Sequence, residues 1–410
     1  MIKFRDYQEK IIDQGVDTIN QYGFVYLAME VRTGKTLTSL GIAEKLGCVN
    51  VLFLTKKKAI RDVENDNRSL SSNLSLFCIN YESMHKIPDY AWDLVILDEA
   101  HSLGAFPKPS KRSKQVRELI KKHRPKVILL SGTPTPESYS QMYHQVCGIP
   151  RNPFSEYRNF YRFCDDYVMV TARPINGLQI KDYSDGKKII LDKMDRYTIS
   201  YTQKEAGFES EIEEEIIRVP LKPETYDLCN RLKKDLVIEI DDEAILADTG
   251  VKLMSKLHQM YSGTVKFESG NTLIIDSSKA EYIKWRFNEN KIGIFYKFKA
   301  ELEVLKQVFG DQLCTDLETF DTTDKNIALQ IVSGREGISL RNADFIVFYN
   351  IDFSATSYWQ ARDRMTTKER KYNKVFWIFS EGGIEGHVYK AVNKKKDYTL
   401  RHFKSNLLYL

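Results

Sequence analysis

The sequence predicts an α/β protein: two parallel-sheet domains in tandem, with a small helical and β-hairpin insertion between them. Three observations carry that expectation. From Phe24 to Leu130, short apolar runs ("FVYLAM", "VNVLFLT", "LSLFCIN", "WDLVILDEA", "PKVILLSG") alternate with polar, helix-like stretches. Such runs read as strands buried on both faces of a parallel sheet covered by helices. The same rhythm returns from Lys291 to Gly382 in "KIGIFYKF", "KNIALQIVSG", "ADFIVFYNID" and "KVFWIFSEG". Between them the chain changes character: "NPFSEYRNFYRFCDDYV" spaces its aromatics helically, and Asn176-Gly177 and Asp185-Gly186 mark two tight hairpin turns. The domains are therefore expected at 1–150, 151–280 and 281–410. The aromatic helix is expected to dock its Phe/Tyr face on the first domain.

Composition supports a folded chain. Its 410 residues, 42% hydrophobic and 29% charged, leave ample core for two or three domains. The net charge, 61 basic minus 56 acidic residues or +5, is mild, so its distribution matters more than its size. Residues 108–126 hold nine Lys/Arg against Glu118, His387–Leu410 holds six against Asp397, and "EAGFESEIEEEI" at 205–216 is acidic. A polarised surface follows. The six cysteines include no C-x-x-C pair, which suggests neither a zinc site nor a disulfide framework and implies reduced thiols in a cytosolic setting. No apolar run reaches the ~18 residues that span a bilayer.

The chemistry begins at "LAMEVRTGKTLTSL", residues 27–40. Met29 stands where a phosphate loop usually has its first glycine and Arg32 crowds the turn, yet strand, loop and helix follow in the required order. Thr33 and Gly34 open the helix, Lys35 can neutralise β and γ phosphates, and the Thr36 hydroxyl can ligate Mg²⁺. "LVILDEAH" at 94–101 then ends an apolar strand in two carboxylates. Asp98 suits a Mg²⁺ ligand and Glu99 a group that orients and deprotonates water.

Further stretches fall into a known pattern: "FRDYQ", "LFLTKKKAI", "INYESM" and "SGTPTP" in the first half, and "SSKAEYI", "IGIFYKFKAELEVL", "SGREGISLRNADFIVFYN" and "YWQARDRM" in the second. With the phosphate loop and the DEAH sequence they make the chain resemble a superfamily-two helicase motor, more narrowly the Swi/Snf family of DNA translocases. The resemblance implies two RecA-like lobes that hydrolyse ATP between them with Mg²⁺. Gln8 would contact the adenine, and Arg5 would also bind ATP. Thr55, Lys56 and Tyr81, and in the second lobe Gly334 and Arg335, would lie near nucleic acid. His101, Ser131 and Thr133 would couple hydrolysis to movement, Gly337 would approach the nucleotide, and Gln360 and Arg364 would face the phosphates, Arg364 as arginine finger. Two departures stand out: Thr367 replaces a second arginine, and the Gly-Ser-Thr turn with its arginine ahead of "SGREG" is missing.

The function so implied is a DNA-stimulated ATPase, most simply a sequence-independent translocase on duplex DNA. Its rivals are a weakened ATP-gated DNA clamp or adaptor, and an RNA helicase of the same superfamily. The compact build resembles versions carried by bacteriophages, which would put a monomer in a host bacterial cytoplasm with protein partners for targeting. The Asn176-Gly177 hairpin is expected to be a structural meander rather than a strand-separating wedge.

Overall fold

The structure, a computed structural model, describes residues 3–70, 74–175, 178–207, 211–241, 243–331, 340, 342–354, 358 and 372–393. The chain divides into two compact units, Met1–Gly207 and Phe208–Leu410.

In the first unit the apolar runs become β1 (Phe24–Met29), β2 (Asn50–Thr55), β3 (Ser75–Asn80), β4 (Leu94–Leu97) and β5 (Lys126–Leu130). A self-paired antiparallel hairpin, β6 (Thr171–Ile175) and β7 (Leu178–Asp182), follows, and then β8 (Thr198–Tyr201). The sheet order is β3-β2-β4-β5-β1-β8, with every pairing parallel. Strand alternation explains why the runs read as continuously apolar. Tyr26, Leu54, Leu97 and Leu129 enter one hydrophobic cluster, while Leu27, Phe53, Ile96 and Leu130 enter another on the opposite face.

The helices of this unit that bear on the site are α1 (Asp6–Tyr22), α2 (Lys35–Lys45), α3 (Ile60–Leu70), α4 (Lys111–His123), α5 (Gln141–Val146) and α6 (Phe160–Tyr167). Helix α6 buries Phe160, Phe163, Cys164 and Tyr167 in the cluster that holds Tyr26 and Leu129, the docking expected of its aromatic spacing. Helix α4 is capped by Ser110, whose hydroxyl accepts from the Ser113 amide at 3.1 Å. His144 of α5 is buried: its Nε2 donates to the Pro107 carbonyl at 3.0 Å and its Nδ1 accepts from Arg117 of α4. Burial, with the Arg117 charge adding and the Pro107 bond opposing, pushes its imidazole down to about 4.

Residues 151–280, expected as an insertion, are shared between the two units, and β8 is an edge strand of the first sheet. Asp185-Gly186 is not a hairpin turn. Gly186 bridges Val168, and its missing side chain is needed because a Cβ there would meet the Ser140 amide nitrogen at 2.6 Å. The Asn176-Gly177 tip lies outside the described residues.

The second unit repeats the plan. Its strands are β9 (Glu211–Val219), β10 (Val237–Ile240), β11 (Glu243–Leu246), β12 (Thr264–Lys266), β13 (Thr272–Ile274), β14 (Ile292–Tyr296), β15 (Leu313–Cys314), β16 (Asn326–Gln330), β17 (Phe345–Phe348) and β18 (Tyr372–Ser380). Six of them form a second all-parallel sheet, β15-β16-β14-β17-β18-β9, while β10-β11 and β12-β13 are separate hairpins. Its interior holds polar side chains that satisfy one another. Lys279 and Glu385 are both buried and paired at 3.2 Å, with Ser380 donating to the same carboxylate at 2.9 Å. Glu301, also buried, accepts from the Asn350 amide at 2.5 Å and from the Lys297 and Phe298 amides at 2.7 and 2.9 Å. The Asn350 oxygen accepts in turn from His258 Nε2 at 2.6 Å. Burial, with Lys297 adding, drives the His258 imidazole well below its ordinary value, so the ring is neutral.

Candidate nucleotide site

The site is assembled at the carboxyl ends of the first sheet's strands, where an open α/β sheet has its crevice. The loop from β1 to α2 is pinned from two sides. From α1, the Tyr7 hydroxyl donates to the Thr33 carbonyl at 3.0 Å, and the Gln8 amide donates to the Gly34 carbonyl at 3.3 Å and to Thr38 Oγ1 at 3.4 Å. The Gln8 oxygen accepts from the Arg5 amide at 3.0 Å, and Arg5 also donates to the Tyr7 hydroxyl at 3.1 Å. Gln8, expected at an adenine, and Arg5, expected to bind ATP, thus brace the loop's backbone.

From the other side comes the segment after β8. The Gln203 amide nitrogen donates to Glu30 Oε2 at 2.7 Å, and its side chain donates to the Val31 carbonyl at 2.9 Å. Tyr201 stacks on Tyr7 with centroids 4.5 Å apart. Nothing local in "TISYTQ" foretells this brace, because its partners lie more than 170 residues upstream.

Within the loop Arg32 has φ +64° and Gly34 φ +80°, both in the left-handed region. At Gly34 that conformation costs nothing, and a Cβ there would collide with the Gln8 amide. At Arg32 it is a strained choice. The Thr33 hydroxyl donates to the Glu30 carbonyl at 2.8 Å, closing the turn ahead of Lys35 and Thr36, the first two residues of α2.

Asp98 follows β4 and is buried. Its Oδ2 accepts from Thr55 Oγ1 at 2.7 Å, and its backbone carbonyl accepts from the Tyr81 hydroxyl at 2.7 Å. Its Oδ1 has no hydrogen-bond partner. Burial and the neighbouring Glu99 charge raise the Asp98 pKa, while Lys35 and the Thr55 hydrogen bond pull the other way. Thr55 and Tyr81, expected beside a nucleic-acid backbone, are buried instead, and both hydroxyls are spent on Asp98. Motif position marks such residues without revealing where a hydroxyl turns. Lys56 lies partly exposed at the start of the turn after β2.

Glu99 also adopts a left-handed backbone, with φ +50°, which aims the carboxylates of adjacent residues differently. Its Oε2 lies 3.3 Å from His101 Nδ1, which is 3.0 Å from Ser131 Oγ, and Ser131 Oγ accepts from the Thr133 amide at 3.1 Å. His101, Ser131 and Thr133, expected to couple hydrolysis to movement, are brought together by these contacts. Gly334, Arg335, Gly337, Gln360, Arg364 and Thr367 lie outside the described residues.

The donor set suits a divalent cation on a phosphate chain. A buried carboxylate oxygen without a partner sits within the electrostatic reach of a lysine at a helix N-terminus, beside a loop whose Gly34 lets the Gln8 side chain pack against its backbone.

Two RecA-like sheets in tandem, the first carrying a Gly-Lys-Thr turn and an acidic pair at a strand end, make this a superfamily-two helicase-type core. The chain belongs to the SNF2-related domain family, whose model matches residues 28–275. Among curated proteins it is similar to the RNA polymerase-associated protein RapA of Yersinia pseudotuberculosis. The two are 27% identical over 138 residues, covering 32% of this chain and 14% of that protein. The RapA of Serratia proteamaculans is 31% identical over 77 residues, covering 19% of this chain and 8% of that protein. The chain thus matches only a small part of the length of these relatives. Among solved structures, the Sulfolobus solfataricus SWI2/SNF2 ATPase core in complex with dsDNA matches with a TM-score of 0.43 at 15% identity, covering 99% of this chain and 93% of that one. The same organism's SWI2/SNF2 ATPase core domain matches with a TM-score of 0.44 at 14% identity, covering 96% and 89%.

Proposed function

We propose that the chain hydrolyses ATP to drive movement along duplex DNA. The observation that carries this reading is the unpartnered, buried Oδ1 of Asp98, an uncompensated acceptor that folding tolerates where a cation will complete it. Lys35 and the amides at the start of α2 bind the phosphates, and Thr36 and Asp98 would hold Mg²⁺. When bound, Mg²⁺ neutralises charge on the phosphate oxygens. Glu99, steadied by His101, orients the attacking water and takes its proton. The new P–O bond forms as the γ-phosphate bond to ADP breaks. Charge developing on the phosphate is met by Lys35 and, in this reading, by Arg364. The His101–Ser131–Thr133 chain carries the change of state away from the phosphate.

The exposed Lys108, Lys111, Lys114 and Lys121 on and beside α4 form the proposed DNA track. Contacts to phosphates alone carry no sequence information, so binding should be sequence-tolerant and weaken with salt. The deciding measurement is ATP hydrolysis with duplex DNA, single-stranded DNA, RNA or no polynucleotide. Duplex should stimulate most, and Lys35→Ala and Glu99→Gln should abolish the signal. A purified chain that leaves ATP intact under all four conditions overturns the reading.

A further inference from the structure

Helix α4 carries cations of two kinds. Its exposed lysines face water, whereas Arg112 is turned inward: its guanidinium lies 4.7 Å over the Tyr81 ring and donates to Glu82 Oε1 at 2.6 Å. Tyr81 is buried, and its hydroxyl reaches the Asp98 carbonyl at 2.7 Å. A solvent-exposed ion pair, Lys122 to Asp89 at 2.6 Å, links the far end of α4 to the segment that follows Tyr81.

We infer that Arg112 and Tyr81 form a positioning relay through which polyanion bound on α4 sets the orientation of Asp98. This rests on the reading that α4 receives DNA and that Asp98 serves ATP hydrolysis. The structure holds one arrangement of the relay, Arg112 on Glu82 and Tyr81, and coupling between sites requires a second, with Arg112 on a phosphate. Without DNA, Glu82 holds the guanidinium. A phosphate drawn to Lys111 and Lys114 competes with that carboxylate for the same planar fork. Arg112 cannot change partner without altering its stacking on Tyr81, and the Tyr81 hydroxyl ends on the residue whose carboxylate keeps a free oxygen. Both residues lie outside the loop between β1 and α2. Both act through Asp98.

The test compares Arg112→Gln, Arg112→Lys, Tyr81→Phe and the Arg112→Gln/Tyr81→Phe double variant in the full chain. It reads kcat with and without duplex DNA, duplex affinity and the Mg²⁺ concentration for half-maximal rate. Arg112→Gln should lower the stimulated-to-basal ratio about fivefold or more, with duplex affinity changed by less than about threefold because the exposed lysines remain. Arg112→Lys should fail to rescue, since an ammonium cannot stack as a plane. Tyr81→Phe, which keeps the ring, should lower the same ratio and raise the Mg²⁺ requirement, and the double variant should be no worse than the worse single one. Equal stimulation in Arg112→Gln and wild type, or additive losses in the double variant, overturns the relay alone. A wild-type chain that hydrolyses ATP with no response to duplex overturns both the relay and the DNA reading.

Discussion

The two units share an architecture and use it differently. Each builds a six-stranded all-parallel sheet with a polar cluster, but the clusters are chemically opposite. In the first, Asp98 keeps an oxygen without a partner, and two of the loop residues, Arg32 and Glu99, hold a backbone conformation that costs free energy. In the second, Lys279 answers Glu385 and Asn350 answers both Glu301 and His258, with His258 Nδ1 the exception among the described residues. A cluster that leaves capacity open is built to take a ligand; one that closes on itself is built to hold strands and helices in register. Similar sheets do not imply similar chemistry.

That contrast is open to attack at four points. The largest effect should come from Asp98→Asn and Glu99→Gln, each cutting ATP turnover by about 10²–10⁴-fold while the unfolding midpoint barely moves. A large loss of stability instead would make the first cluster structural. Lys279→Met, which strands Glu385, should cost about 3–5 kcal/mol in denaturant unfolding of the second unit. Lost turnover in a fully folded Lys279→Met protein would give the second cluster a chemical role.

Smaller is the response to acid. His144 and His258 have folded-state pKa values lowered below the unfolded value, so their contribution is complete above about 6.5 and lost as pH falls. For His144 the window runs down to about 4. Unfolding followed from pH 7 to 4 should show stability falling by about 1–3 kcal/mol, and His144→Gln should flatten that slope. The smallest effect belongs to Arg32→Gly, which should gain up to about 1 kcal/mol by relieving the left-handed backbone. A loss would mean that the arginine side chain contributes more than the strain removes.

Much of this was legible in the sequence for a physical reason. Strands buried on both faces are apolar at every position, so β1, β2, β4, β5, β14 and β17 announce themselves, and the Gly-Lys-Thr and Asp-Glu pairs are rare at strand ends. Of the edge strands β3 was legible in "LSLFCIN", but β8 and β9 were not. β9 reads as a solvated acidic run because alternate residues of an outer strand meet water or single partners such as Lys374, and β8 is too short and polar to stand out. The partners of Asp98 escaped for another reason. Thr55 and Tyr81 sit in segments whose resemblance pointed outward, and only the fold reveals that their hydroxyls converge on one carboxylate.

Strand β9 carries a further consequence. Glu213 and Glu215 sit on the outermost described strand of the second sheet, sharing the single cation Lys374, on a rim whose amides could otherwise recruit a like strand from another copy. Two carboxylates against one ammonium leave that rim net negative, so two such rims repel and the molecule's colloidal behaviour should depend on keeping the pair ionised. Concentrated solutions should stay clear near neutrality and turn turbid once acid or a neutralised Glu213/Glu215 pair silences that repulsion.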